Sequence, residues 1–452
     1  MKIVIVGDGK VGNNLARQLS NEGHELIIVD NDPDVIDEAN NTLDIVGVLG
    51  NGASYKVLNE AQVAKADLLI ATMELDELNI LSCLIAKKLG TKHTIARIRN
   101  PEYSEQLMFM REELGLSMHI NPEYLTALEL FRILRLPSAL KVETFAKSKV
   151  EMVEIKLQDN CLLNNVLLKE IQSRINLKVL VCVVKRGDEI HIPDGNFVLK
   201  ANDIINIVAA PYEIRHFLKT IGADEKPIND VIIIGGSKIA YYLSKMLLEL
   251  GVNLKIIESN KERCYELSEL LPKALIIHGD GADQELLLEE GVMTTDALVT
   301  LTDMDEQNIL ISMYGKSLKV KKVLTKINRL SLATLVKDKG LDVIVAPKDL
   351  TANQILTYVR GMGNSSGSNV ETLYRLVDNQ VEALEFIVSK SYPKLNVPLK
   401  DYKTKDNTLV AAIIRNREVI IPFGSDSLQV NDRVIVVTLN EHYHDLSDIL
   451  KD

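Results

Sequence analysis

The feature that most constrains this chain is a tandem duplication. Landmarks of the first half recur in the second half, first at an offset of 235 − 7 = 228 residues and, after one insertion, at 279 − 50 = 229 residues. The matched positions are Gly7 and Gly235, Asp30 and Glu258, residues 50–53 and 279–282, Asp67 and Asp296, Asn79 and Asn308, and Arg97 and Lys326. Because 452 residues are too many for one core, the sequence predicts one structural plan that is used twice.

Each half opens with short β-branched runs that alternate with longer helical patterns. In the first half the runs are KIVIV, HELIIV, IVGVL, ADLLIAT, HTIARI and MHIN. Strands separated by helices predict an α/β domain with a doubly wound, Rossmann-like parallel sheet. Strands then follow one another closely in VEMVEIKL, LKVLVCVVKR, GDEIHIP and DIINIVAA, and again in VEALEFIV, NTLVAAIIRN, REVIIP and DRVIVVTL. Each of these groups predicts a small α+β domain.

Four domains in the order large, small, large, small therefore follow, at residues 1–137, 138–225, 226–362 and 363–452. The stretch 361–368, GMGNSSGS, is typical of a flexible connector. The segment 123–136, EYLTALELFRILRL, is apolar around most of its circumference, so it predicts a helix buried by more than one neighbour. Packing against another domain or subunit and packing within its own domain are both compatible with this pattern.

Composition narrows the classes of function. Lys and Arg number 52 against 63 Asp and Glu, and the net charge of −11 has the wrong sign for a general nucleic-acid or anionic-lipid surface. The cysteines Cys83, Cys161, Cys182 and Cys264 form no close pair, which favours a reducing compartment and offers no metal site. No apolar run approaches the roughly 18 residues of a membrane helix. We therefore expect a soluble, cytoplasmic protein that is not secreted.

The pattern Gly7-x-Gly9-x-x-Gly12 directly follows a strand and opens a helix, which is the context of a dinucleotide-binding loop. The first glycine permits the tight turn, the second lets the backbone approach a pyrophosphate, and the third lets helix and strand pack closely. The N–H groups at the start of the helix would then bind the phosphates.

Asp30 ends the second strand 18 residues after Gly12, where a carboxylate can accept both ribose hydroxyls and repel a 2′-phosphate. This position favours NAD(H) over NADP(H). A turn or helix-capping role before Asn31-Asp32-Pro33 is the alternative.

The loops at residues 50–52 and 71–74 follow the third and fourth strands, where open α/β sheets bind ligands. Arg97, within the fifth strand, is suited either to a phosphate or to an ion pair with Asp76 and Glu77. Both interpretations remain open.

The second glycine loop is degenerate. Gly235 is kept, but Ser237 and Ala240 stand where the first half has Gly9 and Gly12. A serine β-carbon would hold the backbone away from a pyrophosphate unless Gly236 takes over that role through a shifted turn. Glu258 still offers a ribose acceptor, so we expect binding there that is weaker or that favours a different nucleotide.

A nicotinamide-dependent dehydrogenase needs an acid or base positioned beside its substrate. No such group stands out in the sequence, and neither a nucleophile elbow nor a P-loop is present. We therefore predict a protein without catalytic residues and without a metal site.

Taken in order, these motifs resemble the TrkA family, the cytosolic regulatory subunits of bacterial Trk potassium uptake systems. The matching marks are GDGKVG with Asp30, the two G-N/D-G-A loops, ELDELN with its repeat DMDEQN, IARIR, and the segments at 193–203 and 422–432. In that family two regulator-of-conductance (RCK) units, each a Rossmann domain followed by a small domain, are fused in one chain.

The resemblance implies binding of NAD(H), or of ATP or ADP, at one site in each half. It places the first site at Gly7, Asp8, Gly9, Lys10, Val11, Gly12, Asp30, Asn51, Met73, Glu74 and Arg97. It places the second site at Gly235, Gly236, Ser237, Lys238, Ile239, Glu258, Asp280, Thr302 and Asp303. Met73 departs from the threonine that is common in the family and that stands at Thr302, so a hydroxyl contact is lost from the first site.

The resemblance further implies a homotetrameric ring that lies on the inner face of the plasma membrane. There it would regulate an integral-membrane potassium-translocating subunit similar to TrkH or TrkG. Two other functions remain possible from the residues alone, an NAD-dependent oxidoreductase and a nucleotide sensor without a membrane partner. An oxidoreductase would explain one nucleotide fold but not the duplication of both domain types.

Overall fold

A computed structural model describes the chain from residue 1 to residue 451, except for residues 44, 112, 147, 160, 176, 224–225, 338–340, 342, 363–369, 378–379 and 440–442. Its strands, and the α-helices of its two large domains, repeat in the same order in the two halves. Among the described residues, no helix has both the length and the hydropathy that a membrane span requires.

The first large domain is a parallel sheet covered by helices. Its elements are β1 (Lys2–Val6), α1 (Lys10–Asn21), β2 (Glu25–Asp30), α2 (Pro33–Thr42), β3 (Val46–Leu49), α3 (Tyr55–Glu60), β4 (Leu68–Ala71), α4 (Asp76–Leu89), β5 (His93–Arg97), α5 (Pro101–Met110), β6 (Met118–Ile120) and α6 (Pro122–Arg135). The strands pair in the order β3-β2-β1-β4-β5-β6. This is the Rossmann order, which reverses direction between β1 and β4 and leaves a crevice at their carboxyl ends.

The first small domain is an antiparallel sheet with two helices. Its elements are β7 (Ala139–Phe145), β8 (Val150–Lys156), α7 (Leu168–Ile175), β9 (Leu180–Arg186), β10 (Glu189–His191), β11 (Ile204–Ala209) and α8 (Pro211–Thr220). The sheet order is β10-β9-β11-β8-β7. Strand β7 is absent from the prediction, because its sequence ALKVETF mixes charged and apolar residues directly after a helix.

The second half repeats this plan. Its large domain contains β12 (Asp230–Ile234), α9 (Lys238–Glu249), β13 (Asn253–Glu258), α10 (Lys261–Leu270), β14 (Leu275–His278), α11 (Gln284–Glu289), β15 (Ala297–Thr300), α12 (Asp305–Ser317), β16 (Lys322–Lys326), α13 (Leu330–Lys337), β17 (Val343–Val345) and α14 (Pro347–Met362). Its small domain contains β18 (Val370–Leu376), β19 (Val381–Ile387), β20 (Thr408–Arg415), β21 (Glu418–Ile420) and β22 (Arg433–Leu439). The strand orders, β14-β13-β12-β15-β16-β17 and β18-β19-β22-β20-β21, match those of the first half. The predicted fold class and duplication are confirmed.

The two large domains exchange helices. Ala127, Leu130, Ile133 and Leu134 of α6 lie in the same buried cluster as the strands of the second large domain. In return, Ala352, Ile355, Leu356 and Val359 of α14 lie in the core of the first large domain. Helix α6 packs against α9, and α14 packs against α1. The packing of α6 against another domain, one of the two arrangements expected for this apolar helix, is therefore confirmed.

The two small domains pack sheet against sheet. Phe145, Met152 and Val183 from the first share a buried cluster with Ala383 and Ile435 from the second. The two halves therefore contact each other in two places: the large domains through the exchanged helices, and the small domains through their facing sheets.

A repeated ion pair explains the ND segments of the small domains. The Arg186 guanidinium donates to both carboxylate oxygens of Asp203, at 2.8 and 2.7 Å, and Arg415 does the same to Asp432, at 2.9 and 2.7 Å. Both aspartates are almost fully buried. These buried ion pairs therefore stabilise the small domains in both halves.

A buried network joins the first large domain to the last small domain. Arg360, near the end of α14, pairs with Glu22 at 2.7 Å and with Glu382 of β19 at 2.9 Å. Arg375 of β18 also contacts Glu22, at 2.9 Å. Hydrogen bonds from Arg360, together with its charge and that of Arg375, lower the pKa of Glu22 even though burial acts in the opposite direction.

Helix α14 ends at Met362, so residues 363–368 of the predicted connector lie outside the described residues. The exact residues at which the four domains begin and end stay predictions. Cys83, Cys182 and Cys264 are buried, Cys161 is half-buried, and all four are free thiols.

The exchange of helices predicts the effect of a mutation. Leu130→Ala removes a fully buried side chain from α6, and we expect it to lower the free energy of unfolding by about 2–5 kcal/mol. Urea denaturation followed by circular dichroism measures this loss. Leu162→Ala, at a residue 65% exposed, is the matched control and should stay within about 0.5 kcal/mol of the wild type. Equal stability of the two variants would contradict the packing of α6 described here.

Candidate functional site

The first glycine loop has the geometry of a phosphate-binding turn. Gly7 has a φ of +89°, and a β-carbon there would lie 2.8 Å from the backbone nitrogen of Met73. A β-carbon on Gly12 would lie 2.1 Å from the carbonyl oxygen of Gly7. At Gly9, by contrast, a β-carbon would have no described atom of the surrounding structure within 4 Å. Gly7 and Gly12 are therefore required by packing, whereas Gly9 keeps an open face at the start of α1.

Both halves hold the glycine loop with a carboxylate at the end of the second strand. The N–H of Asp8 donates to Asp30 Oδ2 at 2.7 Å, and the N–H of Asp32 donates to Asp30 Oδ1 at 3.0 Å. In the second half, the N–H of Gly236 donates to Glu258 Oε2 at 2.5 Å. Asp32, not Asp30, caps α2. The carboxylate therefore orders the loop and also lies where a ribose would be recognised.

A buried asparagine links two strand ends in each half. Asn79 accepts the N–H of Met73 at 2.8 Å and donates to the carbonyl oxygens of Met73 and Arg97, each at 2.9 Å. Asn308 makes the same bonds with Thr302 and Lys326. The sequence shows that the two asparagines repeat at offset 229, but this role was not predicted for them. Their repetition inside ELDELN and DMDEQN could have suggested it.

Arg97 lies at the carboxyl end of β5, beside the loop after β4. Its Nη2 donates to the carbonyl oxygen of Met73 at 2.7 Å, while its buried Nε has no hydrogen-bond partner among the described residues. Burial lowers the pKa of Arg97. Asp76 accepts the backbone N–H groups of Arg99 and Asn100. Arg97 therefore contacts a carbonyl group and keeps unused donor capacity.

The corresponding cation of the second half is arranged differently. Lys326, 5% exposed, lies 3.5 Å from the carboxylate of Asp303. Burial lowers the pKa of Lys326, and the charge of Asp303 acts in the opposite direction. The hydroxyl of Thr302 donates to Asn308 Oδ1 at 2.8 Å, so this hydroxyl already has a partner within the chain.

Asp8 is a buried carboxyl group within the first glycine loop. It is only 4% exposed, and Asn13 donates to its Oδ2 at 3.3 Å. Its Oδ1 is buried and has no hydrogen-bond partner in the described part of the chain. Burial raises the pKa of the Asp8 carboxyl to about 6, and the charges of Asp30 and Glu38 act in the same direction.

The second glycine loop occupies the same frame but caps itself. Helix α9 begins at Lys238 and α1 begins at Lys10, which is the same offset, 238 − 10 = 228, that separates Gly235 from Gly7. The turn of the second loop is therefore not shifted. Ser237 is the N-cap of α9, and its hydroxyl accepts the N–H of Ala240 at 3.3 Å. Arg263 Nε donates to the carbonyl oxygen of Gly236 at 2.6 Å. In the second half, the side chains of Ser237 and Arg263 thus form hydrogen bonds with the loop and the helix start. The corresponding face of the first loop, at Gly9, is open.

The other predicted residues lie around the same two strand edges. Glu74, Asn51 and Asp280 are exposed, and the last two accept a backbone N–H from their own turns. Val11 is half-buried, whereas Ile239 is 5% exposed and packs into the hydrophobic core. Ile239 can therefore offer a ligand only its backbone N–H.

A polar cleft of about 720 Å³ lies between the two large domains. One wall carries residues of the first glycine loop and α1, and the other wall carries residues of the second half. The first wall includes Asp8, Gly9, Asn13 and Arg17, and the second includes Asn328, Arg329, Lys348 and Asp349. The exchange of helices therefore brings cations of the second half to the open face of the first loop.

Comparisons with known proteins agree with this architecture. The family model described as the TrkA-N domain matches residues 3–122 and 231–347, and the TrkA-C domain matches residues 152–222 and 383–451. The Trk system potassium uptake protein TrkA homolog 1 of Methanosarcina mazei is 33% identical over 97% of this chain and 97% of its own length. The Trk system potassium uptake protein TrkA of Vibrio alginolyticus is 33% identical over 99% of this chain and 98% of its own length.

The GsuK channel bound to NAD is similar in fold. It superposes with a TM-score of 0.65 at 17% sequence identity, over 97% of this chain and 76% of the channel chain. At this identity the likeness concerns the fold alone.

The asparagine links predict a clear difference between two buried positions of α4. Asn79→Ala removes the partner of the Met73 N–H and of the Arg97 carbonyl, while the Met73 carbonyl keeps its bond from Arg97, so we expect a loss of about 2–4 kcal/mol in the free energy of unfolding. Ser82→Ala is the control, because its buried hydroxyl has no hydrogen-bond partner within the described residues. It should be neutral or slightly stabilising. Chemical denaturation of both variants tests this, and equal losses would contradict the assigned role.

Proposed function

The chain belongs to the TrkA family, and on this premise we propose that it is a nucleotide-binding regulatory subunit that controls a membrane-embedded potassium-translocating partner. The observation that carries the proposal is the open glycine loop at the start of α1, with Asp30 beside it and the polar cleft in front of it. The names of the full-length relatives support the potassium uptake system.

NAD(H) is the ligand that this geometry favours at the first site. The free N–H groups at the start of α1 suit a pyrophosphate. Asp30 keeps acceptor capacity for ribose hydroxyls and would repel the 2′-phosphate of NADP(H). ATP and ADP carry the same ribose and phosphates, so they are the competing ligands. The NAD bound by the GsuK channel supports a dinucleotide in this fold.

We expect the second site to bind more weakly or to favour another nucleotide. The hydroxyl of Ser237 already accepts the N–H of Ala240 at the start of α9. A phosphate would have to compete with this contact, whereas Gly9 offers an unobstructed approach. The two halves thus provide one strong and one weak site in a single chain.

A repeated apolar surface supports assembly into a ring of identical chains. Leu81 on α4 and Leu310 on α12 correspond at offset 229 and are 42% and 67% exposed. Leu75 and Met304, at the N-caps of the same helices, are 56% and 61% exposed. A surface that stays apolar in both halves indicates contact with further copies of the chain. We propose a homotetramer located on the cytoplasmic side of the membrane through its partner.

The regulation that follows is a linkage effect and requires no catalysis. A nucleotide that binds one conformation of the ring better than another shifts the ring toward that conformation. A tenfold preference supplies about 1.4 kcal/mol per site, and several sites in one ring add their contributions. The membrane partner would respond to this shift by opening or closing.

Calorimetric titration with NADH, NADPH, ATP and ADP tests the ligand. We expect saturable binding of NADH without turnover, and we expect Asp30→Ala to weaken it about tenfold to a hundredfold, because charge-assisted hydrogen bonds to the ribose are lost. Asp30→Ala should also narrow the preference for NADH over NADPH, which general disorder of the loop would not do. Glu258→Ala is the matched variant and should affect only the weaker site. A wild-type protein that binds none of these nucleotides would overturn the proposal, and cofactor-linked turnover would favour an oxidoreductase.

Light scattering of two surface variants tests the assembly. Leu81→Asp and Leu310→Asp place a charge in the repeated apolar surface, so we expect the assembled mass to fall toward that of a smaller species. Leu250→Asp is the control, because Leu250 is 60% exposed but corresponds to the ion-paired Glu22 and is not part of a repeated apolar position. A monomeric wild type, or an equal effect of Leu250→Asp, would contradict the proposed surface.

A further inference from the structure

The carboxyl group of Asp8 lies where the phosphates of a nucleotide would approach. It stands between Gly7 and Gly9, and it lines the cleft together with Gly9 at the start of α1. A fixed negative charge at this point would oppose the binding of an anion, whereas the glycine loop is otherwise built to attract one. The charge state of Asp8 therefore matters for any phosphate-bearing ligand.

Hydrogen bonding leaves this carboxyl group incomplete. Oδ2 accepts one bond from Asn13, at 3.3 Å, while the buried Oδ1 has no partner among the residues described. An ionised carboxylate that is 96% buried with an unpaired oxygen is costly. A neutral carboxylic acid costs less and can donate its O–H to a phosphate oxygen.

Charged groups surround Asp8 on every side of the cleft. Asp30 at the end of β2 and Glu38 on α2 disfavour its ionisation, whereas Arg17 on α1 favours it. Across the cleft lie Arg329, Lys348 and Asp349 of the second half. A bound phosphate would add another negative charge close to Asp8, so it would favour the protonated form further.

The acid form is accessible under ordinary conditions. Burial raises the pKa of Asp8 to about 6, so without a bound phosphate the group is largely neutral near pH 5 and largely ionised near pH 8. A phosphate that raises this pKa must draw a proton into the site as it binds.

We propose that the first site takes up a proton at Asp8 when a phosphate-bearing nucleotide binds, so that its affinity falls as the pH rises. This inference rests on the proposed nucleotide binding and adds a second input, the proton, to the same site. Protonated Asp8 donates to a phosphate oxygen, and ionised Asp8 repels it. The chain thus senses nucleotide and acidity together.

The second half lacks this property and provides an internal comparison. Gly236 stands at the position of Asp8, because 236 − 8 = 228. A β-carbon on Gly236 would lie 2.7 Å from Leu267 Cδ1 and 2.9 Å from Glu258 Oε2, so a side chain there would require both of these side chains to shift. Affinity of the second site should therefore not depend on a carboxyl group at this position.

Calorimetry with NAD on the full-length chain tests the proposal. NAD suits the purpose because its pyrophosphate diester does not titrate between about pH 5.5 and about pH 8, unlike the terminal phosphate of ADP. Titrations in buffers of different ionisation enthalpy measure the protons taken up on binding. We expect uptake that approaches one proton per first site above about pH 7, and a dissociation constant that rises about fiftyfold from pH 6 to pH 8.

Three variants locate the effect. Asp8→Asn keeps the shape of the side chain without the titration, so proton uptake and the pH dependence of NAD binding should both disappear. Glu38→Gln removes a neighbouring negative charge and should retain both. Asp30→Ala weakens the first site, so that binding at the second site dominates the titration. The dissociation constant of this second site should be independent of pH over this range. Circular dichroism confirms that each variant is folded.

The possible outcomes separate the two proposals. Binding of NAD by the wild type without proton uptake, or an Asp8→Asn variant that keeps the full pH dependence, would overturn the role of Asp8 and leave nucleotide binding intact. No binding of NAD, NADH, ATP or ADP at any pH would overturn nucleotide binding and this inference with it.

Discussion

The exchange of helices α6 and α14 is the constraint on which the rest of the structure depends. Each helix is covalently part of one large domain and packs into the core of the other. Neither large domain can therefore bury its apolar surface fully without its partner in the same chain. The same exchange brings residues 328–329 and 348–349 opposite the first glycine loop. The cleft in front of the first glycine loop is thus a product of the duplication, and its shape depends on how the two halves are oriented.

The duplication also lets two sites with one backbone plan acquire different chemistry. The loops share the glycine at φ near +90° and the carboxylate that holds it. They differ at two positions beside the helix start. Gly9 of the first half corresponds to Ser237, and Asp8 corresponds to Gly236. Each difference changes how readily the helix start accepts an anion, while the strands and their order remain the same.

The architecture could be predicted from the sequence because its signals are local and repeated. Short β-branched runs predicted the strands of both large domains, and the offsets aligned the halves residue by residue. Strand β7 was missed because its alternation of charged and apolar residues is weak evidence beside a helix. The repetition of Asn79 at Asn308 could have suggested a shared role, but its bond to the Arg97 carbonyl and the incomplete bonding of Asp8 depend on packing in the folded chain and could not be predicted. Likewise, the apolar pattern of α6 predicted burial but could not say which domain would cover it.

The buried network around Arg360 gives helix α1 a mechanical role. The helix begins at the glycine loop, and Glu22, one residue beyond its end, is held by Arg360 and Arg375. Twelve residues of helix form a stiff rod about 18 Å long. Breaking a buried ion pair costs about 3–5 kcal/mol, so a displacement at the loop is more easily transmitted along the rod than absorbed at its far end. Helix α9 ends instead at Glu249, next to the exposed Leu250, whose apolar side chain cannot form the corresponding ion pair. A displacement of the first loop would therefore reach the last small domain through α1 and the ion pairs of Glu22 and Glu382 with Arg360.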